Sequence, residues 1–189
     1  LYKGIPEGRI VGFAGPSGCG KTLMATKIVG NFQKKNPQNW GIVFDSEIAL
    51  DAATARALGA DPDRIKHYPV NSVLGVRNQA LMVLNQIIEK GLEGRFIIVI
   101  DSLGNLGGGK EITDAEEDKT AADMGLRAKD MKSMLRTLTY KAAKAKTTII
   151  FTNHTYDNPA ALFPSVVQNQ SGGSGPIYMA SLLIQLGFK

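Results

Sequence analysis

At 189 residues and 43% hydrophobic content, the chain can bury one substantial core but is too short for two ordinary domains, so residues 1–189 read as a single unit. No apolar run approaches the length a bilayer requires, the longest being residues 96–100, and Leu1-Tyr2-Lys3-Gly4 does not open a signal peptide; a soluble, intracellular protein with no membrane partner is expected. The only cysteine, Cys19, excludes an intramolecular disulfide and a thiolate metal cluster, while a formal charge of +5 and a pI near 9.3 favour a polyanionic partner.

Apolar strand patterns alternate with helical ones along the chain, which predicts an α/β fold: a mostly parallel twisted sheet flanked by helices. In such a sheet the ligand crevice lies beyond the carboxyl ends of the strands, so the residues that follow each strand matter most. A first strand over residues 9–14 runs into Gly15-Pro16-Ser17-Gly18-Cys19-Gly20-Lys21-Thr22, a complete G-x-x-x-x-G-K-T loop, and then into a helix over 21–35. Backbone amides of such a loop converge on phosphates, Lys21 can reach the β and γ oxygens, and the Thr22 hydroxyl can ligate Mg²⁺ at the positive end of the helix. A glycine-rich turn that binds nothing is the bland alternative, and the strand-loop-helix context disfavours it. Cys19 is either a reactive thiol near a helix start or a small residue at a variable loop position.

The second strand, 40–44, leads to Asp45-Ser46-Glu47 and a helix over 49–58 that Asp45 or Ser46 can cap. Glu47 is the candidate general base for attack of water on the γ-phosphate, although an acid in a first helical turn is also what the helix dipole favours. A strand over 66–69 carries His67, read as structural, and a helix over 74–90 has Asn71 or Ser72 as its cap. The strand over 96–100 ends at Asp101-Ser102. Asp101 takes the place of the second acidic element of phosphate-loop ATPases, holding Mg²⁺ with Thr22; otherwise it caps a strand end.

Residues 106–123 fit neither pattern, and Glu111, Asp114, Glu116, Glu117 and Asp118 there would repel nucleic acid held against them. The helix over 124–145 is amphipathic. Met131, Met134, Leu135 and Leu138 should face the core, and Lys129, Lys132 and Arg136 share another face, with Arg127, Lys141, Lys144 and Lys146 adding charge. That basic face can follow a phosphate backbone or simply be solvated. After a strand over 147–152, Asn153 and His154 either sense the γ-phosphate or make ordinary strand-end hydrogen bonds. Residues 156–175 are again unassigned: Phe163 can contact bases or pack within the loop, and Gly172, Gly173, Ser174 and Gly175 can bring amides near a phosphate or form a hinge. A last strand is expected over 182–186.

Several ordered motifs carry a resemblance over nearly the whole chain: Gly4-Ile5-Pro6-Glu7-Gly8-Arg9, the phosphate loop, Asp45-Ser46-Glu47-Ile48-Ala49-Leu50-Asp51, Val99-Ile100-Asp101-Ser102-Leu103-Gly104-Asn105-Leu106, Met124-Gly125-Leu126-Arg127-Ala128-Lys129, Asn153-His154-Thr155-Tyr156 and Gly172-Gly173-Ser174-Gly175-Pro176-Ile177-Tyr178. Together they resemble the ATPase core of RecA-type homologous recombinases, most closely the phage UvsX branch. The resemblance implies a RecA-like P-loop NTPase that uses ATP and Mg²⁺. It also implies binding of single-stranded and homologous duplex DNA, assembly into a homo-oligomeric filament, single-strand-binding and mediator proteins as possible partners, and residence in the host cytoplasm. By the same resemblance Glu47 is the catalytic glutamate, Asp51 lies near the adenine, 106–123 and 156–175 are the DNA-binding loops, and Asn153-His154 is the switch between nucleotide and the second loop.

The chain departs from that pattern in places. Thr54 stands where bacterial relatives usually carry an adenine-stacking tyrosine, His154 replaces a glutamine, and Ile177 replaces a lysine. The family polymerises through a helix and strand that precede the core, so a fragment with weak assembly and turnover of its own is expected. A RecA-fold hexameric helicase and a nonhydrolytic, nucleotide-gated recombination mediator are the alternative readings.

Overall fold

The computed structural model describes residues 4–48, 50–108, 124–156 and 169–187. Within them six strands form an all-parallel array: β1 (Ile10–Gly15), β2 (Trp40–Asp45), β3 (Ile65–Pro69), β4 (Phe96–Asp101), β5 (Thr148–Tyr156) and β7 (Leu182–Gln185), in the spatial order β3-β2-β4-β5-β1-β7. A short β6 (Asn169–Gln170) adds antiparallel to the end of β5. The order reverses between β4 and β1, with β5 between them, so the carboxyl ends of these three strands border one crevice.

The strands are apolar runs because both sheet faces are covered, as parallel crossover topology requires. Alternate residues then sort to opposite faces. Ile98 and Ile100 join the larger core with Ile10, Ile42, Phe44, Ile149 and Phe151, while Ile97 and Val99 turn the other way with Phe13, Val43 and Ile150. Helices α3 (Val73–Glu89) and α4 (Met124–Lys144) cover the first face, and α1 (Lys21–Lys35) covers the second through Ala25 and Val29. On α4 the predicted stripe of Met131, Met134, Leu135 and Leu138 is fully buried and continues through Ala142 and, just past the helix end, Ala145. Lys129, Lys132 and Arg136 lie on its exposed side.

Three expectations are corrected. The second helix, α2 (Ala52–Ala57), starts later than its sequence pattern suggests, and Asp51 rather than Asp45 or Ser46 caps it, its carboxylate accepting the Thr54 amide at 2.8 Å. Asp45 is unavailable because its oxygens already accept the amides of Glu47, Ile48 and Leu50, as set out below. The fifth strand does not stop at Thr152: Asn153 and His154 pair with Ala14 and Gly15 and are part of β5 itself. The second unassigned stretch holds regular structure, β6, and short elements adjoin both stretches: a 3-10 turn over Leu103–Asn105, with Leu103 and Leu106 buried, before the first, and α5 (Gly175–Met179), packed on α4, at the end of the second. The α3 start follows expectation, since Ser72 accepts the Gly75 amide at 3.0 Å. Phe163, most of the second candidate loop and the acidic stretch at 111–118 lie outside the described residues. Among the described residues no helix is long and apolar enough to cross a membrane.

Candidate active site

The phosphate loop leaves the end of β1 and enters α1 without a side-chain cap: Gly20 occupies the N-cap position and no acid lies in the first turn. Uncapped helix N-terminal amides are unsatisfied donors at the positive end of a dipole, which is the chemistry of an anion site. Two glycines are required by geometry. Gly20 has φ of 91°, a left-handed conformation that a side chain would oppose, and a Cβ on Gly15 would lie 2.5 Å from the Leu186 carbonyl oxygen. Lys21 is buried and arches back over the loop, its Nζ donating to the carbonyls of Gly15 at 2.9 Å and Pro16 at 2.6 Å. Its charge is therefore held at the centre of the loop by two neutral acceptors, which an anionic phosphate oxygen would outcompete. Cys19 Sγ sits 3.9 Å from the same ammonium.

Beside the loop lies a cleft of about 430 Å³ lined by Ser17, Gly18, Gly20, Lys21, Thr22, Leu23, Glu47, Thr54, Ala57, Leu58, Asp101 and His154. Its volume and its division into a polar loop end and an apolar α2 end suit a nucleotide. Thr54, Ala57 and Leu58 form the apolar end, whereas Asp51 is committed to capping α2 through the Thr54 amide and hydroxyl and is not among the lining residues.

Asp101 ends β4 at the base of the cleft. Burial pushes its carboxyl above the usual carboxylate range, the hydroxyls of Thr152 and Thr22 pull the other way, and the charges of Glu47 and Asp45 raise it further. Thr152 Oγ1 donates to Asp101 Oδ1. A buried carboxyl beside a threonine hydroxyl is a hard-oxygen donor pair that suits Mg²⁺, which keeps several waters and takes one or two carboxylates together with substrate phosphates. Among the described residues no cluster of three or more His, Cys, Asp or Glu side chains able to hold a metal occurs.

Glu47 reaches the cleft because Asp45 folds the segment between them. The Asp45 carboxylate accepts the amides of Glu47 at 2.9 Å, Ile48 at 2.8 Å and Leu50 at 3.1 Å, and faces His67 Nε2 at 2.9 Å. These bonds bend the backbone so far that Ile48 adopts φ of 53°. His67 is structural, as its sequence context suggests. Glu47 Oε1 then collects three donors or partners from distant parts of the chain: Ser102 Oγ at 3.0 Å, Asn105 Nδ2 at 3.2 Å and His154 Nε2 at 3.3 Å.

Asn153 is buried and ties β5 to the returning segment, its Nδ2 donating to the Ser171 carbonyl at 2.9 Å and to Gln170 Oε1 at 3.3 Å. The Ser171 amide donates to the His154 carbonyl. The candidate DNA-facing residues divide into two groups. Lys129, Lys132 and Arg136 are exposed on α4, and Gly173 and Ser174 are exposed beside it, while Gly172 (φ 86°) leaves no room for a side chain against the Met131 sulfur. Arg127 instead turns inward, donating to the carbonyls of Leu103 and Gly104. Sequence reasoning missed Ser102, Asn105, Gln170 and Ser171; apart from the adjacency of Ser102 and Asn105 to Asp101, nothing local distinguishes them.

A family model described as the RecA N-terminal domain matches residues 2–186. Among curated proteins the chain is 34% identical over 186 residues to the recombination and repair protein of Enterobacteria phage T4, covering 97% of this chain and 45% of that protein. It is 35% identical over 184 residues to protein RecA of Bifidobacterium breve, covering 97% and 44%, and 32% identical over 183 residues to protein RecA of Syntrophus aciditrophicus, covering 97% and 50%. The chain thus spans about half the length of the curated relatives it matches. With that model matching residues 2–186, a span that takes in the phosphate loop and Asp101, the chain belongs to the RecA N-terminal domain family.

Proposed function

We propose that this chain is the ATP-hydrolysing core of a DNA recombinase that binds single-stranded DNA and promotes its pairing and strand exchange with a homologous duplex, working as a homo-oligomeric filament in the cytoplasm. One observation carries the reading: a single cleft gathers the phosphate loop, Asp101 and a glutamate bonded to β5, the strand that leads toward the second candidate DNA loop. The names of the relatives, RecA and a recombination and repair protein, point the same way.

In this reading Lys21 exchanges the Gly15 and Pro16 carbonyls for phosphate oxygens and the uncapped amides of α1 hold the remainder of the triphosphate. Thr22 and Asp101 would hold Mg²⁺, which when bound would supply positive charge to neutralise the phosphates. Glu47 orients the attacking water and accepts its proton. Loss of the γ-phosphate is felt at His154 and Asn153, which stand between Glu47 and Ser171, and this alters the hold on DNA. Exposed Lys129, Lys132 and Arg136 follow the DNA backbone. The test is ATP turnover with and without single-stranded DNA, with electron microscopy of the same samples. DNA-stimulated turnover and helical filaments are expected; ring-shaped particles with DNA-independent turnover would overturn the assignment.

A further inference from the structure

We propose that Arg127 is a positioning residue that clasps the turn beside Glu47 to the segment returning from the second candidate DNA loop, so that one guanidinium links the nucleotide cleft to the stems of both loops. The proposal rests on the nucleotide-dependent reading above and assigns Arg127 a role other than contacting DNA.

Arg127 Nη2 donates to the carbonyls of Leu103, at 3.4 Å, and Gly104, and lies 3.5 Å from Ser171 Oγ. The turn it grips presents its other side to the cleft, since Asn105 within it and Ser102 before it both donate to Glu47. Ser171 closes the circuit from the opposite direction: its amide donates to the His154 carbonyl, and the His154 ring meets Glu47. Glu47, the 103–105 turn, Arg127, Ser171 and His154 therefore form a ring of contacts in which Arg127 is the member bonded to both the turn and the returning segment.

Its position in the chain adds the first loop. Arg127 lies in the opening turns of α4, just after residues 109–123, and Gly108, just before them, packs on its stem: a Cβ added at Gly108 would sit 3.3 Å from the Arg127 Cβ. Of the four cations Arg127, Lys129, Lys132 and Arg136, the last three are exposed and Arg127 alone has its head group on backbone carbonyls.

Holding a half-buried guanidinium against neutral acceptors is costly, and among the described residues its Nε is buried without a hydrogen-bond partner. An apolar side chain of similar volume would avoid that desolvation, so stability alone does not explain an arginine here. What the planar fork supplies is simultaneous, directional grip on two segments, which a lysine ammonium on a flexible stem reproduces only in part.

The experiment is hydrogen exchange of segments 102–108 and 169–175, with and without a Mg²⁺-bound nonhydrolysable ATP analogue, in the unaltered protein and in Arg127→Ala, Arg127→Lys and Ser171→Ala. Nucleotide should slow exchange in both segments of the unaltered protein. Arg127→Ala should keep the nucleotide response at 102–108 and lose it at 169–175; Arg127→Lys should restore it partly. Ser171→Ala, which deletes only one hydroxyl, should weaken the 169–175 response in the same direction and serves if Arg127→Ala does not fold. Persistence of both responses in Arg127→Ala, or in Ser171→Ala where that variant has to stand in, would overturn the clasp. Absence of any nucleotide response in the unaltered protein would overturn the nucleotide reading itself, and with it the proposal.

Discussion

Asp45 and Asp101 are register partners at the carboxyl ends of β2 and β4, both buried, yet their surroundings push them in opposite directions. At Asp45 burial raises the carboxyl, but the His67 ring and the amides of Leu50, Glu47 and Ile48 more than offset it, leaving the group below the usual range. At Asp101 burial again raises the carboxyl, and the hydroxyls of Thr152 and Thr22 do not cancel it. One carboxylate is satisfied by the protein and organises the segment that carries Glu47; the other is left short of compensation where a cation would supply it. A buried acid whose partners are complete serves the structure, while one with a raised carboxyl at the edge of a cleft is a candidate site.

The largest effect tests whether the segment that Asp45 organises carries the chemistry. Glu47→Gln should bind nucleotide and lower turnover by about 10²–10⁴-fold, the span of a lost general base. Lys21→Ala should lose both binding and turnover, measured by calorimetry and phosphate release. Equal turnover in Glu47→Gln and the unaltered protein would remove the assigned base.

Asp101→Asn should separate activity from stability. Because the folded carboxyl is raised, its ionised form weakens the fold: the penalty is absent below the ordinary value near ~3.9 and grows as pH climbs from there through the folded value. Removing the charge should therefore raise the melting temperature at neutral pH by about 3 °C, while turnover falls by about 10²-fold or more. A lowered melting temperature would contradict the contrast.

Asp45→Asn should do the reverse, losing about 2 kcal/mol of stability as charge-assisted bonds to three amides and His67 weaken. Its folded carboxyl is lowered, so its contribution is complete above about 3.9 and disappears as pH falls through the folded value. Acid unfolding of Asp45→Asn should accordingly be shallower than that of the unaltered protein. A matching steepness would show that Asp45 is no anchor.

The smallest effect concerns the exposed cations. Replacing Lys129, Lys132 and Arg136 together should reduce the salt dependence of single-stranded DNA binding by about 2 in the log–log slope, at roughly 0.7 per phosphate contact. An unchanged slope would mean that this face is merely solvated.

The phosphate loop, the apolar strands and the buried stripe of α4 were legible in the sequence because each is written in contiguous residues or a short period. A loop of eight residues folds onto its own helix, and a helical repeat fixes which side chains share a face. What residues 45–51 do was only half legible. Acid at a helix start fits capping and catalysis equally, and only the fold reveals that Asp51 caps, Asp45 organises and Glu47 faces the cleft.

By itself the sequence determined the α/β class, the family motifs and the candidate chemistry at the strand ends. Only the tertiary structure decided that Glu47 meets His154 across 107 residues and Asn105 across 58, and that Arg127 turns inward while Lys129 faces out. The reason is that a side chain's role depends on the dielectric and the partners around it, and those are set by strand order and packing between segments far apart in the chain.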